Sequence, residues 1–487
     1  MAQRLSLLVV PALACAASAT STTDSGGGHL DGAMLPDGSR DGSSRPEDGD
    51  AGPTFEPLPD RDGDGVSDAV EEAAGTDPDD PEDDPLSRGD FVFVVPYGAP
   101  PEPSEDTLVF EPRIRKADVF FVIDTSWSMG GIINGVRDNL RSTIVPTLAE
   151  RIEDIQFGVG QFDRGPSQGP GTGLAPNCAA IGSEQSSTAD IDAVSDALGR
   201  LTPNCGTDEP YAQAAWLWAS GDTSMWPRLR PAGCADGEVG YGCGRPDAVP
   251  IVVLIGDEHF CESYRQEARS GWTPSVDEII DAHRSVGSRL LTFGRTVSRT
   301  RSDRRVSSAC RDQGWSADVY ERIATATGAV DADGTPLVFE DATGSTVADR
   351  IVEGIVRLAE GGSFRLSGRI RDADASDAVD VTAFVERIVP NTAGGVADRR
   401  EPSRVCVGGL TTEDADGDGF DDHFVGVPGG TPVCFDIYPA MNTIVEAADA
   451  PQVFEGLIDV LADDRSVFDT RTVYFVVPAH TSGPVLL

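Results

Sequence analysis

The sequence predicts an α/β domain built on a mainly parallel sheet, followed by a β-rich domain and preceded by an acidic, disordered tether. Three observations carry this. Between residues 116 and 361, short apolar runs alternate with stretches whose apolar residues recur every three or four positions, as in Ile351, Ile355 and Leu358. From 362 to 487, aromatic and β-branched runs are separated by Gly, Pro and Asp, mostly without helical spacing. Between Ser18 and Pro59 the composition is mainly Gly, Ser, Asp and Pro, too poor in large apolar groups to offset ordering entropy.

The chain has 487 residues and a net charge of −43, and Lys116 is its one lysine. Such an excess of carboxylate repels polyphosphate and attracts cations, so nucleic acid is excluded as a partner and metal ions are favoured. Residues 1–88 alone hold 20 Asp and Glu against 5 Arg.

The first residues read as an export signal: Arg4, then an apolar run from Leu5 to Ala14. Elsewhere no run approaches the ~18–20 apolar residues that span a bilayer. Ala12-Leu13-Ala14-Cys15 resembles the lipobox of bacterial lipoproteins. The resemblance implies lipid on Cys15, a leader over 1–15, a linker over 16–59 and attachment to a membrane at the cell envelope or surface. The alternative is an ordinary cleaved signal and secretion, with Ala12 and Ala14 as the small-residue site. Nine cysteines are an odd count, and lipid on Cys15 leaves eight for four bridges. Proximity suggests Cys406–Cys434, Cys234–Cys243 and Cys178–Cys205, which leaves Cys261 with Cys310.

Within 60–85, Asp60, Asp62, Asp64, Asp68 and Glu71 stand at loop positions 1, 3, 5, 9 and 12, with Gly65 at position 6 and the Val66 carbonyl at 7. A Ca²⁺ ion takes six to eight oxygens, and this order supplies them around a sharp turn. The following Gly75-Thr76-Asp77-Pro78 resembles bacterial thrombospondin type 3 repeats. A second candidate calcium loop has Asp414, Asp416, Asp418 and Asp422 in the same register, with Gly419 at the turn. It has Val425 at position 12, so its closing ligand is missing, and the alternative reading is an Asp/Gly turn.

In the α/β region, 116–361, strands are expected at 119–124, 155–162, 250–257, 290–293 and 337–339. Helices are expected at 132–152, 191–201, 210–220, 276–286, 319–327 and 347–359. In such folds ligands bind at the carboxyl ends of strands. The first strand ends in Asp124-Thr-Ser126-Trp-Ser128, and a second buried strand ends in Gly256-Asp257. Between them lies Gly206-Thr207-Asp208-Glu209-Pro210, at the start of a helix.

These three pieces, in this order, resemble the metal-ion-dependent adhesion site of von Willebrand factor A domains. The resemblance implies a Rossmann-like sheet flanked by helices, with Mg²⁺, Mn²⁺ or Ca²⁺ held by Ser126, Ser128 and Thr207. Asp124 and Asp257 act directly or through water. It also implies a partner protein whose exposed Asp or Glu completes the coordination. Two departures stand out: Trp127, where the family often has glycine, and Gly256, where threonine is common. The Trp127 ring is read either as a partner contact or as packing on a neighbouring loop. Insertions at 163–178 and 221–247 carry cysteines and either flank the binding face or serve as stapled decoration.

In 362–487, strands are expected at 364–370, 379–385, 431–437, 453–460 and 473–477, as a β-sandwich. Val473-Tyr-Phe-Val-Val-Pro478 echoes Phe91-Val-Phe-Val-Val-Pro96. The shared pattern points to segment 88–115 joining the carboxyl-terminal domain, with the α/β domain inserted between them, as in integrin β subunits. The five histidines stand in neither His-Glu-x-x-His nor Gly-x-Ser-x-Gly contexts. The expectation is therefore an exported adhesive binder. A metal-stabilised envelope protein without a ligand is the first alternative, and a metal-dependent hydrolase is the remote one.

Overall fold

The computed structural model describes residues 55–163, 181–203, 210–226, 229, 232–257, 272–294, 316–340, 342–374, 376 and 378–480. The leader with Cys15, the linker as far as residue 54, Thr207, and Cys178, Cys205, Cys261 and Cys310 lie outside the described residues.

In chain order the elements are helix α1 (Asp68–Ala74) and strands β1 (Phe91–Val94), β2 (Asp106–Phe110) and β3 (Lys116–Asp124). Then come α2 (Gly130–Asn139), α3 (Val145–Ala149), β4 (Asp154–Phe162), β5 (Ile181–Thr188), α4 (Ile191–Arg200), α5 (Tyr211–Ser220) and β6 (Val249–Gly256). They are followed by α6 (Val276–Ser285), β7 (Arg289–Gly294), α7 (Ser316–Ala326), β8 (Val338–Phe339) and α8 (Val347–Gly361). The last strands are β9 (Ser363–Asp372), β10 (Val385–Pro390), β11 (Thr412–Glu413), β12 (His423–Pro428), β13 (Val433–Pro439), β14 (Gln452–Ala462) and β15 (Ser466–Val477).

The fold is mixed α/β. Its central sheet has the order β5-β4-β3-β6-β7-β8, parallel except for β5, which runs antiparallel to β4. Side chains alternate across β3, so Val119, Phe121 and Ile123 enter one core while Phe120 and Val122 enter the other. Helices α2, α4 and α8 cover the first face, and α5, α6 and α7 the second. Helix α5 is apolar almost all round and lies so close to β4 that a Cβ on Gly160 would collide with the Trp218 ring. A capping box of Ser275 and Glu278 starts α6.

The remaining strands form two sheets, β1-β15-β14-β9-β12-β11 and β10-β13-β2. They pack through aromatic pairs such as Phe424 on Phe435 and Phe110 on Phe468. Strand β1 pairs parallel with β15, with Phe91 opposite Val473 and Phe93 stacked on Phe475. Strand β2 pairs with β13. The central sheet and its helices are thus inserted between β2 and β9, with only Gly362 between α8 and β9. One core runs through the seam, and the buried Arg289 reaches Asp463 at 2.6 Å and the Ser363 carbonyl at 3.1 Å.

Some expectations need correction. Residues 132–152 are not one regular helix, because a π-helical turn (Leu140–Ile144) separates α2 from α3. Segment 379–385 is mostly a 3₁₀ turn (Val381–Phe384), with the Asp380 side chain accepting from the Thr382 N–H, and the strand follows it. Strand β5 was not expected, because Ile181–Thr188 is too polar to show alternation. The segment around α1 packs on the carboxyl-terminal sheet. Val66 and Val70 are buried against Tyr474 and Val476 of β15, and Phe55 bridges to His480. The bridges Cys234–Cys243 and Cys406–Cys434 are formed.

His283 on α6 is fully buried and hydrogen-bonded through Nδ1 to the Ser288 hydroxyl. Burial, with the Arg289 charge adding to it, lowers its pKa from 6.5 to about 4, against a carbonyl contact from Ala215. The folded state then binds fewer protons than the unfolded chain, so stability present above pH 6.5 is lost as pH falls towards 4. Denaturant titrations should show His283→Asn losing less over this range than the wild type, by up to about 3 kcal/mol. Equal losses would contradict the assignment.

Candidate metal centre

Strand β3 delivers Asp124 to its carboxyl end with no exposed surface. The Ser126 N–H donates to Asp124 Oδ1 at 2.7 Å and the Tyr211 hydroxyl to Oδ2 at 2.8 Å. Thr125 N–H bonds the Phe162 carbonyl at 2.9 Å, which pins the loop to the end of β4. A single 3₁₀ turn (Trp127–Met129) then sets the Ser126 and Ser128 hydroxyls 3.2 Å apart, with Met129 buried beneath as an anchor. Ser126 is buried and Ser128 exposed, so the pair spans the mouth of the site.

The neighbouring β6 lies parallel, Ile255 opposite Ile123, and Asp257 follows its end. Asp257 Oδ1 is buried without a hydrogen-bond partner. Burial pushes the Asp124 carboxyl well above the usual carboxylate range, and the Asp257 charge adds to it against the Ser126 and Tyr211 donors. Two hydroxyls and two carboxylates at adjoining strand ends make an oxygen set suited to a hard cation. The orphaned oxygen and the like-charge repulsion are what such an ion relieves. Of the five residues expected here the structure brings together Asp124, Ser126, Ser128 and Asp257. Trp127 is 74% exposed at the mouth of the site.

Two further residues at this end escaped the sequence reading. Tyr211 opens α5 and reaches Asp124 from a distant part of the chain. Asp163 follows the end of β4 and is fully buried, so β4, β3 and β6 each end at or beside an aspartate. The strand-ending pattern Phe162-Asp163 is visible in the sequence, at the boundary of the insertion expected over 163–178.

In the acidic loop, carboxylate oxygens of Asp60, Asp62 and Asp64 lie within 4.8 Å of one another. Asp60 accepts the N–H groups of Gly63 and Gly65, Asp62 that of Asp64, and Asp64 that of Val66. Gly65 has φ +100°, a conformation side chains rarely adopt. Glu71 has 0% exposure, and both its carboxylate oxygens are buried without a partner. Asp62 and Asp64 each have one such oxygen. Burial, then the charges of Asp62, Asp64, Asp68 and Asp60, push the Glu71 carboxyl up to about 7. Asp68 is turned to the Arg61 N–H and Nε, at 2.9 and 3.0 Å.

The second loop repeats this turn bond for bond. Asp414 accepts from Gly417 and Gly419, Asp416 from Asp418, Asp418 from Phe420, and Asp422 from Ala415. Its three clustered carboxylates are exposed, and Asp422 is also engaged by His423 Nδ1 at 2.5 Å. No buried carboxylate closes it from position 12, where Val425 stands.

No family model matches the chain, and no curated protein matches it. Among solved structures it is similar to proximal thread matrix protein 1 (PTMP1) from the mussel byssus, at 16% identity and a TM-score of 0.30, over 51% of this chain and 49% of that one. It is also similar to the pilus adhesin SpaC from Lactobacillus rhamnosus GG, at 9% identity and a TM-score of 0.31, over 78% of this chain and 46% of that one. The chain thus spans about half the length of these structures.

An unpaired buried charge at Glu71 opposes docking of its own segment. With chelator present, Glu71→Gln should slow amide hydrogen exchange across 66–76 relative to wild type. Faster exchange in the variant would show that the carboxylate is stabilising as it stands.

Proposed function

We propose that this chain is an exported binding protein whose central unit is a von Willebrand A-type domain. In this reading the strand-end site holds Mg²⁺, Mn²⁺ or Ca²⁺ and takes an Asp or Glu side chain from a partner protein. The observation that supports it best is the convergence of Asp124, Ser126, Ser128 and Asp257 at the ends of β3 and β6, with an orphaned buried oxygen on Asp257. Thr207 completes the set as the resemblance implies. The ion supplies a positive charge that two neutral hydroxyls and two carboxylates leave able to attract a third carboxylate. Ser128 and the ring of Trp127 face solvent at the mouth, where an aromatic side chain gives a partner an apolar anchor.

The reading extends to the acidic loop as a structural Ca²⁺ site. Asp60, Asp62, Asp64 and Glu71 supply carboxylates, Val66 its carbonyl, and Asp68 orders the loop through Arg61. Val66 and Val70 bury their side chains against β15, so the loop and the docking share residues. Two formed disulfides fit an oxidising compartment outside the cytosol, and no helix among the described residues is long and apolar enough to cross a membrane. Lipid on Cys15 is the proposed attachment.

Isothermal titration of the full chain with Mn²⁺, without Ca²⁺ and with Glu71→Gln in place to disable the acidic loop, checks the first site. This background should show a strand-end site, and adding Asp257→Ala or Asp124→Ala should remove it. Trp127→Ala should keep Mn²⁺ affinity within about twofold, since it removes no ligand. Undiminished Mn²⁺ binding in Asp257→Ala would remove the basis of the reading. For the loop, Ca²⁺ should slow amide exchange over 66–76 in wild type and not in Glu71→Gln, and equal responses would count against it.

A further inference from the structure

Gly256 has no room for a side chain. A Cβ built on it would stand 1.9 Å from the Tyr211 hydroxyl oxygen and 2.5 Å from the ring carbon that carries it. That phenol is almost wholly buried at the first residue of α5. Its ring meets the edge of Phe162, the last residue of β4, with centroids 4.8 Å apart and planes at 74°. Its hydroxyl donates to Asp124 Oδ2 at 2.8 Å at the end of β3. The ends of three adjoining strands, β4, β3 and β6, therefore close around one phenol. With the phenol in this place, a side chain at position 256, threonine included, would have to displace it.

We infer that Tyr211 is the positioning residue of the strand-end metal site and that Gly256 provides the gap it occupies. The inference rests on the metal reading above. Asp124 receives one donor on each oxygen, from the Ser126 backbone and from Tyr211. With both oxygens held, the carboxylate plane is fixed, and each oxygen keeps a lone pair for an ion or its water. The backbone donor alone leaves Oδ2 free to rotate away. One departure at position 256 is thereby explained: the sequence that loses a side chain on β6 gains a hydroxyl from α5.

The test uses the full chain and four variants: Tyr211→Phe, Tyr211→Ala, Gly256→Thr, and Tyr211→Ala with Gly256→Thr. Mn²⁺ affinity is read by titration without Ca²⁺, in copies of each chain that also carry Glu71→Gln, alongside metal-free melting and Ca²⁺ uptake of the chains without it. Tyr211→Phe removes one oxygen and should weaken Mn²⁺ by about 10–100-fold, as loss of partners behind metal ligands does. Its metal-free melting and its Ca²⁺ uptake at the acidic loop should stay close to wild type. Gly256→Thr should abolish Mn²⁺ binding in the wild-type background. In the Tyr211→Ala background it should cost little beyond Tyr211→Ala itself, since the two groups compete for one space. Wild-type Mn²⁺ affinity in Tyr211→Phe, or an equal loss from Gly256→Thr in both backgrounds, overturns this inference and leaves the metal reading standing. A wild-type chain that takes Ca²⁺ at the acidic loop but whose Glu71→Gln copy takes no Mn²⁺ overturns both.

Discussion

A carboxylate removed from water must be paired, protonated or bound to a cation, and that constraint organises this chain. Among the described residues, most buried acids have arginine partners. Asp118 is held by Arg245, Asp459 by Arg369 and Arg371, and Asp398 by Arg404. At two places the described residues bring no Lys or Arg: the strand-end pair Asp124 and Asp257, and Glu71 in the acidic loop. Both places gather further oxygens, and the one arginine within the acidic loop, Arg61, pairs with Asp68 and Asp79 rather than with Glu71. Among the described residues, arginines pair with Asp118, Asp398 and Asp459, and none pairs with Asp124, Asp257 or Glu71.

The architecture makes those two places parts of one body. Strands β1 and β2 belong to the carboxyl-terminal sheets, so the central unit is joined to its neighbour by two connections. A continuous core and the Arg289–Asp463 pair tie the units further. The acidic loop packs on β15, the strand that pairs with β1. The central sheet is thus packed on the carboxyl-terminal sheets through a shared core.

Much of this was legible in the sequence, for definite physical reasons. Parallel strands buried on both faces read as continuous apolar runs, so β3 and β6 and their terminal aspartates stood out. The echo of 91–96 in 473–478 is the pattern of two strands that lie side by side, with Phe93 stacked on Phe475. The acidic loop was legible because alternate carboxylates around a glycine leave a fixed spacing. Strand β5 was not, since an edge strand of half-exposed polar residues carries no alternation. The docking of α1 rests on Val66 and Val70, too few apolar groups to mark an interface in one dimension. Tyr211 was hidden for a different reason. Its role depends on the absence of a side chain at position 256, and on strand ends far from it in sequence.

The central claim is that the strand-end oxygens hold a divalent ion. Crystals of the full chain soaked in Mn²⁺, with diffraction recorded for its anomalous signal, test it most directly. The account predicts a peak at the carboxyl ends of β3 and β6, in direct contact with the Ser126 and Ser128 hydroxyls and flanked by Asp124 and Asp257. Anomalous density confined to the acidic loops, with the strand-end site filled by water alone, would contradict it.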